Sequence, residues 1–189
     1  MNSIALLLTE KIIQKNIIKP EDKEIYKRGI ELILSDIINV FLVLSIGIIT
    51  KTFLLSCIYF VVFCSVRKFS GGFHAKTYGM CRTVTVGVYA AVIAAASFIK
   101  THTGTWIAVI DIFSVITVIL LAPVRHPNKE LNSTEVRANK FLAVAAVVLF
   151  SAASIILNLF NRTEGLVISL VLLAVAILMY VGLAINKKQ

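Results

Sequence analysis

The chain has 189 residues, 58% of them hydrophobic and only 15% charged, with 19 Lys and Arg against 10 Asp and Glu and a net charge of +9. This balance excludes a soluble globular domain of ordinary composition and points to an all-α polytopic membrane protein forming one domain over residues 1–189. The positive charge does not indicate a nucleic-acid partner, because no aromatic-basic interleaving or nucleic-acid motif accompanies it.

Residues 1–28 do not read as a cleavable signal peptide, since a dense charged stretch follows the first apolar residues and no small-residue cleavage site appears. Lys11, Lys15, Lys19, Lys23 and Lys27 recur every four residues, with Ile12, Ile13, Ile17 and Ile18 among them. The pattern predicts an amphipathic helix on the inner leaflet, with membrane lipid as its partner, broken where Pro20 precedes Glu21 and Asp22. A tail that only fixes orientation would carry the same lysines.

Six apolar runs follow, at 32–49, 52–66, 83–99, 105–122, 141–157 and 165–185. Most approach the roughly 20 residues that a helix needs to cross a bilayer. The first two are separated only by Thr50-Lys51-Thr52. One helix through both would be about 52 Å long, too long for a single crossing. A tight hairpin at Lys51 is therefore expected, with a re-entrant 52–66 segment as the alternative.

Basic residues alternate across these runs: six precede the first, then one, four, one, four, one and two. Short Lys/Arg-rich loops stay cytoplasmic, so 16 of the 19 basic residues and both termini are predicted inside. The same rule places the polar loops 67–82 and 123–140 on the cytoplasmic face. Of the three cysteines, Cys57 and Cys64 fall within an apolar run and read as packing residues. Cys81 alone has a polar context, in a compartment where a disulfide is not expected.

The first loop, Arg67 to Arg82, holds His74 and Cys81 seven residues apart. A cysteine peptidase needs a thiolate to attack a carbonyl and an imidazole to protonate the leaving amine. Cys81 sits where the third apolar run begins, at the positive end of a helix and close in sequence to Arg82, Lys76 and Arg67. On a continuous helix the pair would stand about 10 Å apart along the axis, so the loop must turn back; Gly71, Gly72 and Gly79 offer the freedom to do so. Asp36 or Glu31 would orient the imidazole from the start of the first run. His74, Cys81 and His126 as ligands of a metal hydrolase are the rival chemistry, without the helix-borne motif that would support it. A small transporter or channel lined by Asp36, Asn39 and Asp111 is a reading of a different class. The second loop, with Pro123 and Pro127, reads mainly as a connector.

Arg67, Gly72-x-His74-Ala75 and Cys81, on a chain with a basic N-terminus and six apolar runs, resemble the accessory gene regulator protein B (AgrB) family of Gram-positive bacteria. Ala122-Pro123 with Asn128-Lys129 resembles its second cytoplasmic loop, although Glu130-Leu131 departs from the proline often found after that lysine. The resemblance implies a cell-membrane cysteine endopeptidase without cofactor or metal, in which His74 and Cys81 are catalytic and Glu31, Arg67 and Gly72 support them; Asp36 is added as a support by its place in the first run. The resemblance also implies as substrate an AgrD-like propeptide, and a homodimer as a family-level expectation; the charge count adds that Lys129, Arg137 and Lys140 would attract an acidic tail. The thioester formed at Cys81 would be resolved by the peptide's own nucleophile, closing a thiolactone or lactone ring for quorum sensing.

Overall fold

A computed structural model describes residues 2–15, 17–72, 77–99, 104–124, 132–160 and 162–186. Its helices are α1 (Asn2–Gln14), α2 (Lys23–Ile49), α3 (Phe53–Ser70), α4 (Tyr78–Phe98), α5 (Gly104–Leu121), α6 (Ser133–Leu159) and α7 (Thr163–Asn186). Among the described residues there is no named strand, only an isolated bridge between Gly71 and Val124. Five helices, α2, α3, α4, α6 and α7, are long and apolar enough to cross a membrane. The fourth run forms the shorter apolar helix α5.

The last apolar run becomes the central helix. α7 buries Leu166, Val167, Ile168, Val171, Leu172, Val175 and Met179, and α3, α4, α5 and α6 all pack on it. A helix apolar on all sides suits that place. Between lipid-bathed helices the drive to associate comes from close packing and hydrogen bonds rather than from exclusion of water, so small and polar residues mark the seams. α2 buries Ser35, Asn39, Val43 and Gly47, spaced by four along one face. A Cβ on Gly47 would overlap Ser56 of α3, and the Ser56 and Tyr89 hydroxyls meet at 2.6 Å. Tyr59 donates to the Thr85 carbonyl at 2.8 Å, tying α3 to α4 through one of their few contacts.

The hairpin expected at Lys51 is present. Lys51 takes a positive φ of 58°, and the Thr52 N–H donates to the Gly47 carbonyl at 2.7 Å. α3 then runs 18 residues without interruption. The N-terminal break also falls as expected, with a 3-10 turn at Pro20–Asp22 before α2. α1 packs on α2, burying Ala5 and Thr9 and pairing Glu10 with Lys23 at 3.1 Å, while Ile4 and Leu7 stay exposed on its other side.

The polar loops are shorter than the sequence suggests. α3 carries Arg67, Lys68 and Ser70 within its last turn, and α4 already includes Tyr78 to Arg82. The expected loop 67–82 therefore shrinks to the segment between Gly71 and Thr77. Likewise α6 begins at Ser133, so Arg137 and Lys140 of the expected 123–140 loop are helical. Charged residues extend these helices past the apolar runs, where backbone hydrogen bonding continues although hydropathy falls.

Candidate active site

The two ends of the His74 segment are fixed by local geometry. Gly71 terminates α3 with φ 70° and ψ −150°, its N–H donating to the Arg67 carbonyl at 3.1 Å. That conformation is accessible essentially to glycine alone. The Val124 N–H donates to the Ser70 carbonyl at 2.9 Å, and a Cβ on Gly71 would stand 2.5 Å from the Val124 carbonyl oxygen. Absence of a side chain thus lets Val124, just after α5, lie directly on the end of α3. At the other end Thr77 caps α4, accepting from the Met80 N–H at 3.2 Å. The Cys81 N–H makes the first main-chain bond of that helix, to Thr77 at 3.1 Å. Cys81 therefore occupies the first turn, within the positive end of the helix.

Because α3 and α4 touch little and instead pack separately on α2 and α7, a cavity of about 660 Å³ remains between them. Cys81 and Thr85 of α4, Asp36 and Asn39 of α2, and Phe60, Phe63, Cys64 and Arg67 of α3 line it. Gly71, Pro123 and Val124 also contribute to the wall, with Asn139 of α6. The Arg67 guanidinium lies 5.3 Å from the centroid of the Phe63 ring, and is near enough to Cys81, Cys64 and Tyr59 to interact with each electrostatically. Asp36 stands in the same relation to Cys64. The cavity thus joins a thiol, a cation, a carboxylate and an aromatic wall. Such a set can stabilise an anionic sulfur and the oxyanion of an attacked carbonyl while holding an apolar side chain.

The structure brings Cys81, Arg67 and Asp36 together but places Glu31 and Gly72 elsewhere. Glu31 accepts a hydrogen bond from the Tyr78 hydroxyl at 3.0 Å; it holds the start of the Cys81 helix to α2 and does not line the cavity. Gly72, at φ 127°, is buried against the α7 backbone, where a Cβ would stand 3.4 Å from the Leu178 oxygen. Gly79 is helical with open space around it, so the turn belongs to Gly71 and Gly72, not to Gly79. Arg137 and Lys140 are exposed on α6, and the residue of that helix in the cavity is Asn139. Asp111 lies elsewhere, between α5, α6 and α7. His74, His126 and Lys129 fall outside the described residues. Among those described, no three His, Cys, Asp or Glu side chains gather as metal ligands.

Sequence reasoning missed Cys64, Thr85 and the aromatic wall. Part of the signal was available: Phe60, Cys64 and Arg67 share one helical face, as do Cys81 and Thr85. Asn39 had entered only as part of a transport path. Nothing local announced that these faces meet.

The model of the AgrB family, accessory gene regulator B, matches residues 5–181. Comparison with curated proteins and with solved structures finds no match.

Proposed function

The chain belongs to the accessory gene regulator B family, whose members act in the processing of quorum-sensing peptides, and from that premise we propose that it is a membrane cysteine endopeptidase acting on an AgrD-like propeptide. The observation that carries this reading is the place of Cys81: a free thiol at a helix N-terminus, in a cavity that also holds Arg67 and Asp36. In the proposed reaction His74 takes the Cys81 proton, and the sulfur attacks the scissile carbonyl. The C–N bond breaks, His74 returns the proton to the leaving amine of the tail, and the core peptide remains as a thioester. A nucleophilic side chain within that peptide then displaces Cys81 and closes the ring. Exchange between thioesters is nearly isoenergetic, and an intramolecular nucleophile outcompetes water through its effective concentration.

Arg67 supplies positive charge to the thiolate and the oxyanion, and Asp36 is the carboxylate available to the imidazolium. Gly71 lines the cavity only three residues before His74, which supports the pairing of His74 with Cys81. α5 is the sixth span in this reading, and the alternation of basic residues supports cytoplasmic termini and a cytoplasmic site. The enzyme and a membrane-bound propeptide then meet on one inner-leaflet surface.

Co-expression with the propeptide and detection of tail release by gel mobility tests the proposal. Wild type is expected to cleave, with Cys81→Ala and His74→Ala inactive although inserted at normal levels. Normal cleavage by either variant rejects the mechanism.

A further inference from the structure

A second polar cluster lies away from Cys81, where α5, α6 and α7 meet. Asp111 is seven residues into α5, about 10 Å along its axis, and is only 1% exposed. It faces the Ser154 and Ser169 hydroxyls, yet neither carboxylate oxygen makes a hydrogen bond of good geometry among the described residues. Ser151 Oγ and both amide atoms of Asn158, on the same face of α6 as Ser154, are likewise buried without a bond there.

The hydroxyls that face Asp111 have other acceptors within reach. Ser154 donates to the Gly165 carbonyl at 3.0 Å, so the proton in its contact with Ser169 comes from Ser169. Ser114 donates to the Ile110 carbonyl at 2.8 Å. Each serine has one proton to give, so Ser154 and Ser169 can turn a proton toward Asp111 only by giving up these bonds. An ionised Asp111 therefore competes with those acceptors for few protons in a water-poor interior, an arrangement that costs several kcal/mol unless a positive charge joins it. Among the described residues, α5, α6 beyond Lys140 and α7 supply none. Asp111 is the one titratable residue of α5, α6 has none after Lys140, and α7 adds only Glu164 at its start and Tyr180, which stacks on Phe113. Glu164 precedes Ser169 by about 7.5 Å along the helix and adjoins Arg162, of opposite sign.

We propose that Asp111, with the oxygens of Ser154 and Ser169, forms a binding site for one exchangeable monovalent cation, either a proton or Na+. Hard oxygen donors suit either. A divalent ion would leave an uncompensated charge in the same low-dielectric site. The site is separate from the peptidase reading and does not depend on it.

The test uses the full-length protein in nanodiscs of neutral lipid, with thermal unfolding followed against pH in choline chloride and against NaCl replacing choline at constant ionic strength. Occupancy stabilises the folded state, so each tenfold fall in the free cation lowers Tm by about 3–6 °C for as long as the site stays filled, and the fall levels off once it is empty. If the occupant is a proton, wild type loses stability as pH rises and ignores NaCl; if it is Na+, NaCl raises Tm beyond choline. Asp111→Asn, which keeps the shape and removes the charge, is expected to abolish whichever response is found. Identical responses in wild type and Asp111→Asn overturn the site. Should that variant fail to fold, infrared spectroscopy of wild type with 13C-labelled aspartate decides. The chain has three aspartates, Asp22, Asp36 and Asp111, and Asp36→Asn identifies the second. A buried aspartate signal that changes with pH or Na+ and survives Asp36→Asn supports the site, and one indifferent to both rejects it.

Discussion

Gly71→Ala tests how the cavity wall is built. Gly71 holds φ 70° and ψ −150°, a region that costs a residue with a Cβ about 1–3 kcal/mol. The new Cβ would also stand 2.5 Å from the Val124 oxygen and 3.2 Å from its nitrogen. Both are main-chain atoms, so relief requires moving the backbone at Val124 and losing the Ser70–Val124 hydrogen bond, worth about 1 kcal/mol. The expected destabilisation is about 2–4 kcal/mol, measured by SDS titration from mixed micelles with helix content followed by circular dichroism. Gly79→Ala is the control. Gly79 lies in α4 with nothing near its missing Cβ, so alanine there is expected to stabilise by about 0.5–1 kcal/mol. The two substitutions are chemically identical and opposite in sign. A Gly71→Ala protein within about 0.5 kcal/mol of wild type, the range of an ordinary surface change, would refute the clamp.

Removing the Tyr78 hydroxyl or the Glu31 charge, as Tyr78→Phe and Glu31→Gln, should each weaken the attachment of α4 to α2. A double-mutant cycle on unfolding is expected to give a coupling of about 1 kcal/mol, and independent effects would mean that the bond contributes nothing. Asn132 and Glu135 form a reciprocal cap at the start of α6, with the Asn132 N–H donating to Glu135 at 3.1 Å. Asn132→Ala should cost about 1 kcal/mol in the same assay, and Glu135→Gln much less because the amide oxygen still accepts. Arg67→Ala should lower the rate of tail release about 100-fold, the scale of one oxyanion donor. Arg67→Lys should recover only part of it, since an ammonium keeps the charge but loses the guanidinium's fixed fork of donors beside the Phe63 ring. Full activity in Arg67→Ala would remove that residue from the mechanism.

The helices were legible because hydropathy marks the cost of exposing polar backbone to lipid, and the Lys51 hairpin followed from length alone. Their ends were not. Arg67, Lys68 and Arg82 look like loop residues, yet a helix emerging from a bilayer continues through charged turns while its hydrogen bonds remain satisfied. The three loop glycines also looked equivalent in sequence. Only the packing of Val124 on Gly71 and of α7 on Gly72 separates them from Gly79. Glu31 and Asp36, five residues apart, both read as partners for the histidine; their positions around α2 send one to Tyr78 and the other to the cavity. Cys64 read as packing because its neighbours are apolar, while the gap between α3 and α4 that exposes it depends on helices distant in sequence.

The most direct measurement is the mass of the Cys81 peptide after the protein meets a propeptide whose ring-forming nucleophile has been replaced. The mechanism predicts the tail-free core peptide attached to Cys81 as an adduct released by hydroxylamine. Tail release by Cys81→Ala, or an adduct on any other residue, would contradict it.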